Sequence, residues 1–192
     1  MPVTSDGDPV ALIKDISGNS NHAVQDVAPA RPTWRTNGVL SWLEYDGADD
    51  RMVTPPISYS HPALSICAGL QYLAGGNAWG SIKSAAGSVV YVGLSSPVNG
   101  GSISNCGGQT FVNGAVAPND RIALRTALLN KSVVSVRDTQ SAQFATSSTF
   151  IAYSGTPPPA AVLFGYLEIE GATPEIINQI EQWMAHKTGV AA

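Results

Sequence analysis

Turn signals punctuate this chain from end to end, at Asn37-Gly38, Asp46-Gly47, Gly75-Gly76-Asn77, Asn99-Gly100-Gly101, Gly107-Gly108, Asn113-Gly114 and Asn119-Asp120. Asn-Gly and Asp-Gly tolerate the positive φ of tight hairpins, so each marks a chain reversal. Between them lie short runs with strand chemistry: Val39–Tyr45, Ala63–Tyr72, Trp79–Lys83, Ser88–Leu94, Arg121–Leu129, Ser132–Arg137, Thr149–Tyr153 and Ala160–Ile169. Many short strands joined by Gly-containing turns predict an antiparallel all-β sandwich or barrel. Successive valines in Ser132-Val133-Val134-Ser135-Val136 break strict alternation and predict a strand covered on both faces, or a bulge.

One helix stands apart from this pattern. Thr173 suits an N-cap, Pro174 the first helical position, and Glu175 the positive end of the helix dipole. Ile176, Ile177, Ile180, Trp183 and Met184 recur at helical spacing and predict one apolar stripe packed on the sheets. His186 and Lys187 fall in the last turn, and Gly189 ends the helix.

A chain of 192 residues fits one domain spanning 1–192, since all-β sandwiches run to ~200–250 residues as single units. Charged residues make up only 12% of it, with a net charge of -4 and no Lys/Arg cluster. That leaves no electrostatic footprint for nucleic acid or an anionic membrane surface. Met1–Asp8 carries neither a basic start nor an apolar run, so the reading predicts no signal peptide, synthesis in a cytoplasm and no membrane insertion. Met1–Gly7 is compatible with a cut point in a longer polypeptide and equally with an intact small protein. Cys67 lies in an apolar run and reads as a buried thiol; with Cys106 it matches no metal-ligand spacing.

Both ends of the chain resemble a known family. Lys14, Asp15, Ser17-Gly18-Asn19, Asn21-His22-Ala23, Arg31-Pro32-Thr33, Asn37-Gly38 and Glu44-Tyr45-Asp46-Gly47-Ala48-Asp49-Asp50 are similar to the opening of a concanavalin A-like, laminin-G-like jelly-roll domain of bacteriophage and prophage particle proteins. Phe164–Ile169, Thr173–Lys187 and Lys187-Thr188-Gly189 resemble its ending, a final strand leading into a short helix. The resemblance implies a jelly-roll β-sandwich with one C-terminal amphipathic α-helix. It also implies a location in the virion, a lectin-like or structural role without catalysis, and a host glycan or another virion protein as partner. Particle proteins are commonly symmetric, and so little surface charge does not oppose a homo-oligomer.

For carbohydrate, the candidates are Trp79, whose indole offers a stacking face beside the Gly75-Gly76-Asn77 turn, and the amides of Asn77, Asn99 and Asn105, with Asn113 as a further loop amide. The competing reading, which the residues favour, makes Trp79 the first inward residue of a strand. Trp34, Trp42 and Trp183 read as core. For metal, Asp46, Asp49 and Asp50 supply hard oxygen ligands at one turn, and laminin-G and lectin relatives that bind calcium make Ca2+ the ion implied.

Glu44 and Asp46 share one strand face, as do the carboxylates of jelly-roll glucanases that use Glu-x-Asp-x-x-Glu. Here the third position is the shorter Asp49, and Gly47 interrupts the strand. The competing reading packs Tyr45 inward, turns the chain at Asp46-Gly47 and caps the turn with Asp49-Asp50. Glu168 and Glu170 form a second same-face pair, read as a solvated outer face opposite Leu167 and Ile169. His22, His61 and His186 are scattered and read as turn or surface residues. No nucleophile elbow, phosphate loop or dinucleotide fingerprint is present.

Overall fold

The computed structural model describes residues 3–75, 78–84, 89–94, 108–117, 120–140, 146–151 and 159–190. Its strands form two antiparallel sheets. The first contains β1 (Leu12–Ile13), β2 (Ala23–Val24), β5 (Met52–Val53), β6 (Ile57–Ser58), β8 (Ala78–Ser84), β9 (Val89–Leu94) and β13 (Thr146–Ile151). The second runs in the order β11 (Ala115–Val116), β10 (Gln109–Val112), β12 (Ser132–Gln140), β7 (Ala63–Gly75), β14 (Pro159–Glu170), β4 (Ser41–Asp46) and β3 (Thr33–Thr36). Two helices complete the described residues, α1 (Arg121–Ala127) and α2 (Pro174–Thr188), along with a short 3-10 turn at Ala28–Ala30.

Period-two patterning assigns the faces of the second sheet. Leu64, Ile66, Ala68 and Leu70 of β7, with Val134 and Val136 of β12, point to one side. There they join Ala23 and Met52 from the other sheet, and Tyr45, in a single core. Cys67 and Val133 point to the opposite side, against Met184 and Ala185 of α2. The successive valines therefore serve both faces of a central strand, and Ser132 through Val136 are all buried. The bulge is present as well: the β12–β7 register shifts between Val136 and Thr139, with Asp138 at φ 58°.

Asn37-Gly38, Asp46-Gly47 and Asn113-Gly114 lie in turns as expected, while the signals at 75–77, 99–101, 107–108 and 119–120 lie wholly or partly outside the described residues. Asn113 and Gly114 take φ 49° and 77° and join β10 to β11 with Val112 opposite Ala115, which is the two-residue hairpin that Asn-Gly favours. Asn113 also locks its own turn, because its Oδ1 accepts from the Val133 amide at 2.8 Å.

The helix 174–188 is capped as its sequence demands. Thr173 Oγ1 accepts from the Ile176 amide, and Gly189 closes the C-terminus at φ 72°. Two glycines let α2 settle onto the sheet. Gly69 and Gly165 are cross-strand partners. A Cβ on Gly69 would overlap Thr188 Oγ1, and one on Gly165 would stand 2.9 Å from Met184 Sδ.

The buried stripe, however, is centred on Ile177, Met184 and Thr188. Ile176 and Trp183 are each 43% exposed, so Trp183 is not a core residue as expected. At 100° per residue both fall more than a quarter-turn from the stripe centre. The space near that centre goes instead to Glu181, held by Arg137 Nη2 at 2.6 Å and by the Ser135 hydroxyl.

The run 121–129 is also corrected: its first seven residues form α1, not a strand. Asp120 caps it by accepting from the Ala123 amide at 2.8 Å, and Leu124 and Leu128, four apart, are buried. Among the described residues, no helix is long and apolar enough to cross a membrane.

Candidate functional site

Strand β14 changes surroundings halfway along. Its pairing with β4 runs from Ala160–Asp46 to Leu163–Leu43 and stops, whereas its pairing with β7 continues to Glu170–Leu64. Past Leu163 the β4 side of the strand borders an open cleft of about 1070 Å³. Both faces of β14 line it, Tyr166, Glu168 and Glu170 from the core side and Phe164, Leu167 and Ile169 from the α2 side. The opposing wall comes from the segment around Leu12–Asn21 and from Thr54, Pro56, Ile57, Ser58 and Tyr59.

The two ends of this cleft differ in chemistry. At the inner end, Glu168 accepts from Tyr59 Oη at 2.7 Å and from Tyr166 Oη at 2.9 Å. Glu170 accepts from the backbone amides of Ser60 and His61. Asp15 accepts from the Ser17 amide and hydroxyl and from the Asn21 amide, which holds its carboxyl below the usual range. Glu168 and Glu170 thus fasten β14 to the 59–61 segment. The pair shares one face opposite Leu167 and Ile169 as expected, and Glu170 is exposed; Glu168 departs from the solvated position expected for it, being half-buried on the core side, while Leu167 packs toward α2.

At the outer end the lining is aromatic. Trp42 and Phe164 lie 6.0 Å apart at 45°, and Trp183 lines the same cleft from α2. Lys131 Nζ stands 5.1 Å from the Phe164 ring and Lys187 Nζ 5.5 Å from the Trp183 ring. Trp34, half-buried, packs against the core as expected and also borders the cleft, whereas Trp42, expected in the core, is half-buried and lines the cleft.

The acidic turn forms a second cluster. Asp46, Asp49 and Asp50 each place one carboxylate oxygen within 4.8 Å of the others. Gly47 at φ 80° allows the turn to lie against β14, since a Cβ there would come 2.7 Å from the Ala160 nitrogen. Asp46 Oδ1 accepts from the Ala48 amide and Asp50 Oδ2 from the Asp46 amide. Asp50 is 4% exposed. Burial pushes its carboxyl up to about 6, against the help of the Asp46 amide and with added repulsion from Asp46 and Asp49. Tyr45 packs inward beneath it at 1% exposure, its hydroxyl pushed upward by burial and by Asp50. Glu44 pairs with Arg35 Nε at 3.2 Å, and Arg35 reaches Asp6 as well. Neither Glu44 nor Asp46 lines the cleft.

The three oxygens fit a shared hard cation, because ligands that lie 2.3–2.6 Å from one calcium cannot stand further apart than about twice that distance. A complete calcium shell needs about 6–8 oxygens, so water or backbone carbonyls would supply the remainder.

Of the sugar-binding candidates, Asn77, Asn99 and Asn105 lie outside the described residues, as does Cys106. Trp79 is placed by its backbone alone, opposite Gly93 in the β8–β9 pair. Asn113 is committed to its hairpin. Cys67 is a buried free thiol, pushed up to about 12 by burial and by Glu181. The sequence assigned Trp183 to the core and Glu168 to the outer surface and gave Phe164 no role. Trp183 and Ile177 stand at opposite edges of the predicted stripe, and only the packing of α2 decides which edge is buried.

Comparison with known proteins brings no relative to this site: no family model matches the chain, and neither the curated proteins nor the solved structures yield a significant match.

Proposed function

We propose that this chain is a non-catalytic, lectin-like module of a phage or prophage particle, built on a concanavalin A-like jelly-roll sandwich and binding a host surface glycan at the outer end of the cleft. The observation that carries this reading is that Trp42 and Phe164, 6.0 Å apart, and Trp183 all line one open cleft. Aromatic faces stack on pyranose rings, and nearby hydroxyls orient them. Two antiparallel sheets around one core, closed by a C-terminal helix, support the architecture. The motifs at both ends support the particle context. Asp46, Asp49 and Asp50 would hold a calcium ion that stiffens the turn packed on β14.

A glycan array tests the proposal. Binding that Trp183→Ala weakens at least tenfold, while Glu44→Gln leaves it intact, is the expected result. Turnover of a bound glycan that Glu44→Gln abolishes would convert the module into a glycosidase, and a blank array would remove the lectin reading altogether. A purely structural role is the second reading, favoured by Val39 at 88% exposure and by Ile176 and Trp183 on α2. Concentration-dependent self-association, lost in Ile176→Lys, would support it.

A further inference from the structure

We propose that the ligand at the aromatic end of the cleft is an acidic polysaccharide whose pyranose rings carry carboxylates, paired by the ammonium groups of Lys131 and Lys187. This rests on the carbohydrate-binding reading above and names the substrate class for the same site.

Charge complementarity points to this ligand class. On the α2 side of the second sheet, Arg35 is taken up by Asp6 and Glu44, and Arg137 by Glu181. Lys131 and Lys187 enter no ion pair among the described residues, and both are exposed. Neither lysine lines the cleft itself, but each stands over an aromatic ring that does, Lys131 over Phe164 and Lys187 over Trp183. Lys187 occupies one face of the indole, and the Trp183 ring lines the cleft while 43% exposed.

A ring stacked there would bring its substituents beside an ammonium group whose aliphatic stem is already held by the aromatic ring. The inner end of the cleft has the opposite bias, with Asp15, Glu168 and Glu170 against Lys14. An anionic polymer is therefore excluded from the inner end and confined to the aromatic one. A uronate chain offers a stacking face and a carboxylate on every residue. A phosphodiester chain of open polyols offers charge without the face.

The test is titration calorimetry of the full chain in EDTA with polygalacturonate, its fully methyl-esterified form and polyphosphate. The expected result is binding of polygalacturonate at least tenfold tighter than of the ester, weakening as NaCl rises. Lys131→Gln and Lys187→Gln should each cost about threefold, and the double variant should bind both polymers equally. Both lysines are exposed, so an unchanged thermal melt shows that the double variant is folded. Equal binding of polygalacturonate and its ester by the unaltered chain would overturn the acidic-ligand inference and leave the lectin reading standing. Tighter binding of polyphosphate would also overturn the inference. Failure of every polysaccharide, here and on the array, would remove both.

Discussion

The two halves of β14 follow one another without a break, yet they do different work. From Pro159 to Leu163 the strand is enclosed by β7 on one side and β4 on the other, with the Asp46–Asp50 turn pressed against Ala160. From Gly165 to Glu170 it keeps β7, loses β4 and becomes the wall of a cleft. A strand with two neighbours has its residues fixed by packing. A strand beside an open space can hold side chains for a ligand instead. Residues 159–163 are all apolar, whereas 164–170 add Tyr166, Glu168 and Glu170, so the composition changes where pairing with β4 stops.

The sharpest test of that contrast compares two leucines. Leu163, 5% exposed in the core, should cost about 3–4 kcal/mol on change to alanine, in the range for buried leucines. Leu167, half-buried beside the cleft, should cost about 1–2 kcal/mol. Urea denaturation of the two variants measures both, and equal losses would erase the distinction between the halves.

Asp50 reports on the turn that leans on the enclosed half. Its folded carboxyl titrates near 6 against 3.8 for the ordinary group, so the folded state holds the proton more tightly. That contribution to stability is fully present below the unfolded pKa of 3.8 and is lost as pH rises through 6. Two units amount to roughly 3 kcal/mol. Asp50→Asn should therefore melt higher than the parent at pH 8, with the difference vanishing by pH 4. Calcium held by the triad would stabilise the parent at pH 8 relative to EDTA, and Asp50→Asn would lose that gain. A parent whose melting temperature exceeds that of the variant at pH 8 in EDTA would contradict the buried-carboxylate account.

At the junction of the halves, Gly69→Val forces a side chain into the space of Thr188 and Met184 and should cost about 2 kcal/mol by overpacking. Loosening of α2, read as faster amide exchange at Ala185 and Thr188, should accompany it. Last, Glu168→Gln weakens two hydrogen bonds from tyrosine hydroxyls and should cost about 1 kcal/mol without touching glycan binding at the aromatic end. If it abolished binding, the ligand would lie at the inner end instead.

The features legible in the sequence are those whose cause lies within a few residues. Asn113-Gly114 adopts the two positive φ angles its hairpin needs, and Thr173, Pro174 and Gly189 bound α2 as placed. Ser132–Val136 is covered on both faces. The misses share a different cause. Arg121–Leu129 mixes β-compatible residues with leucines at 124 and 128, and Asp120 as an N-cap, more than the run itself, decides for helix. The facing of Glu168, Glu170 and Trp183 depends on partners far along the chain: Tyr59, the departure of β4, and the Arg137–Glu181 pair that fills the helix–sheet contact.

By itself, then, the sequence determined several of the chain's reversals and strands, though not β3, β10 or the helix at 121–127, and how its last helix starts and stops, because caps, turn angles and side-chain alternation act locally. Only the tertiary structure decided which side of each strand and helix is buried, and that Trp42, Phe164 and Trp183 line one cleft, with Lys131 over Phe164 and Lys187 over Trp183. Burial is settled by whichever surface arrives opposite, and that surface is contributed by residues too distant in sequence for local chemistry to specify.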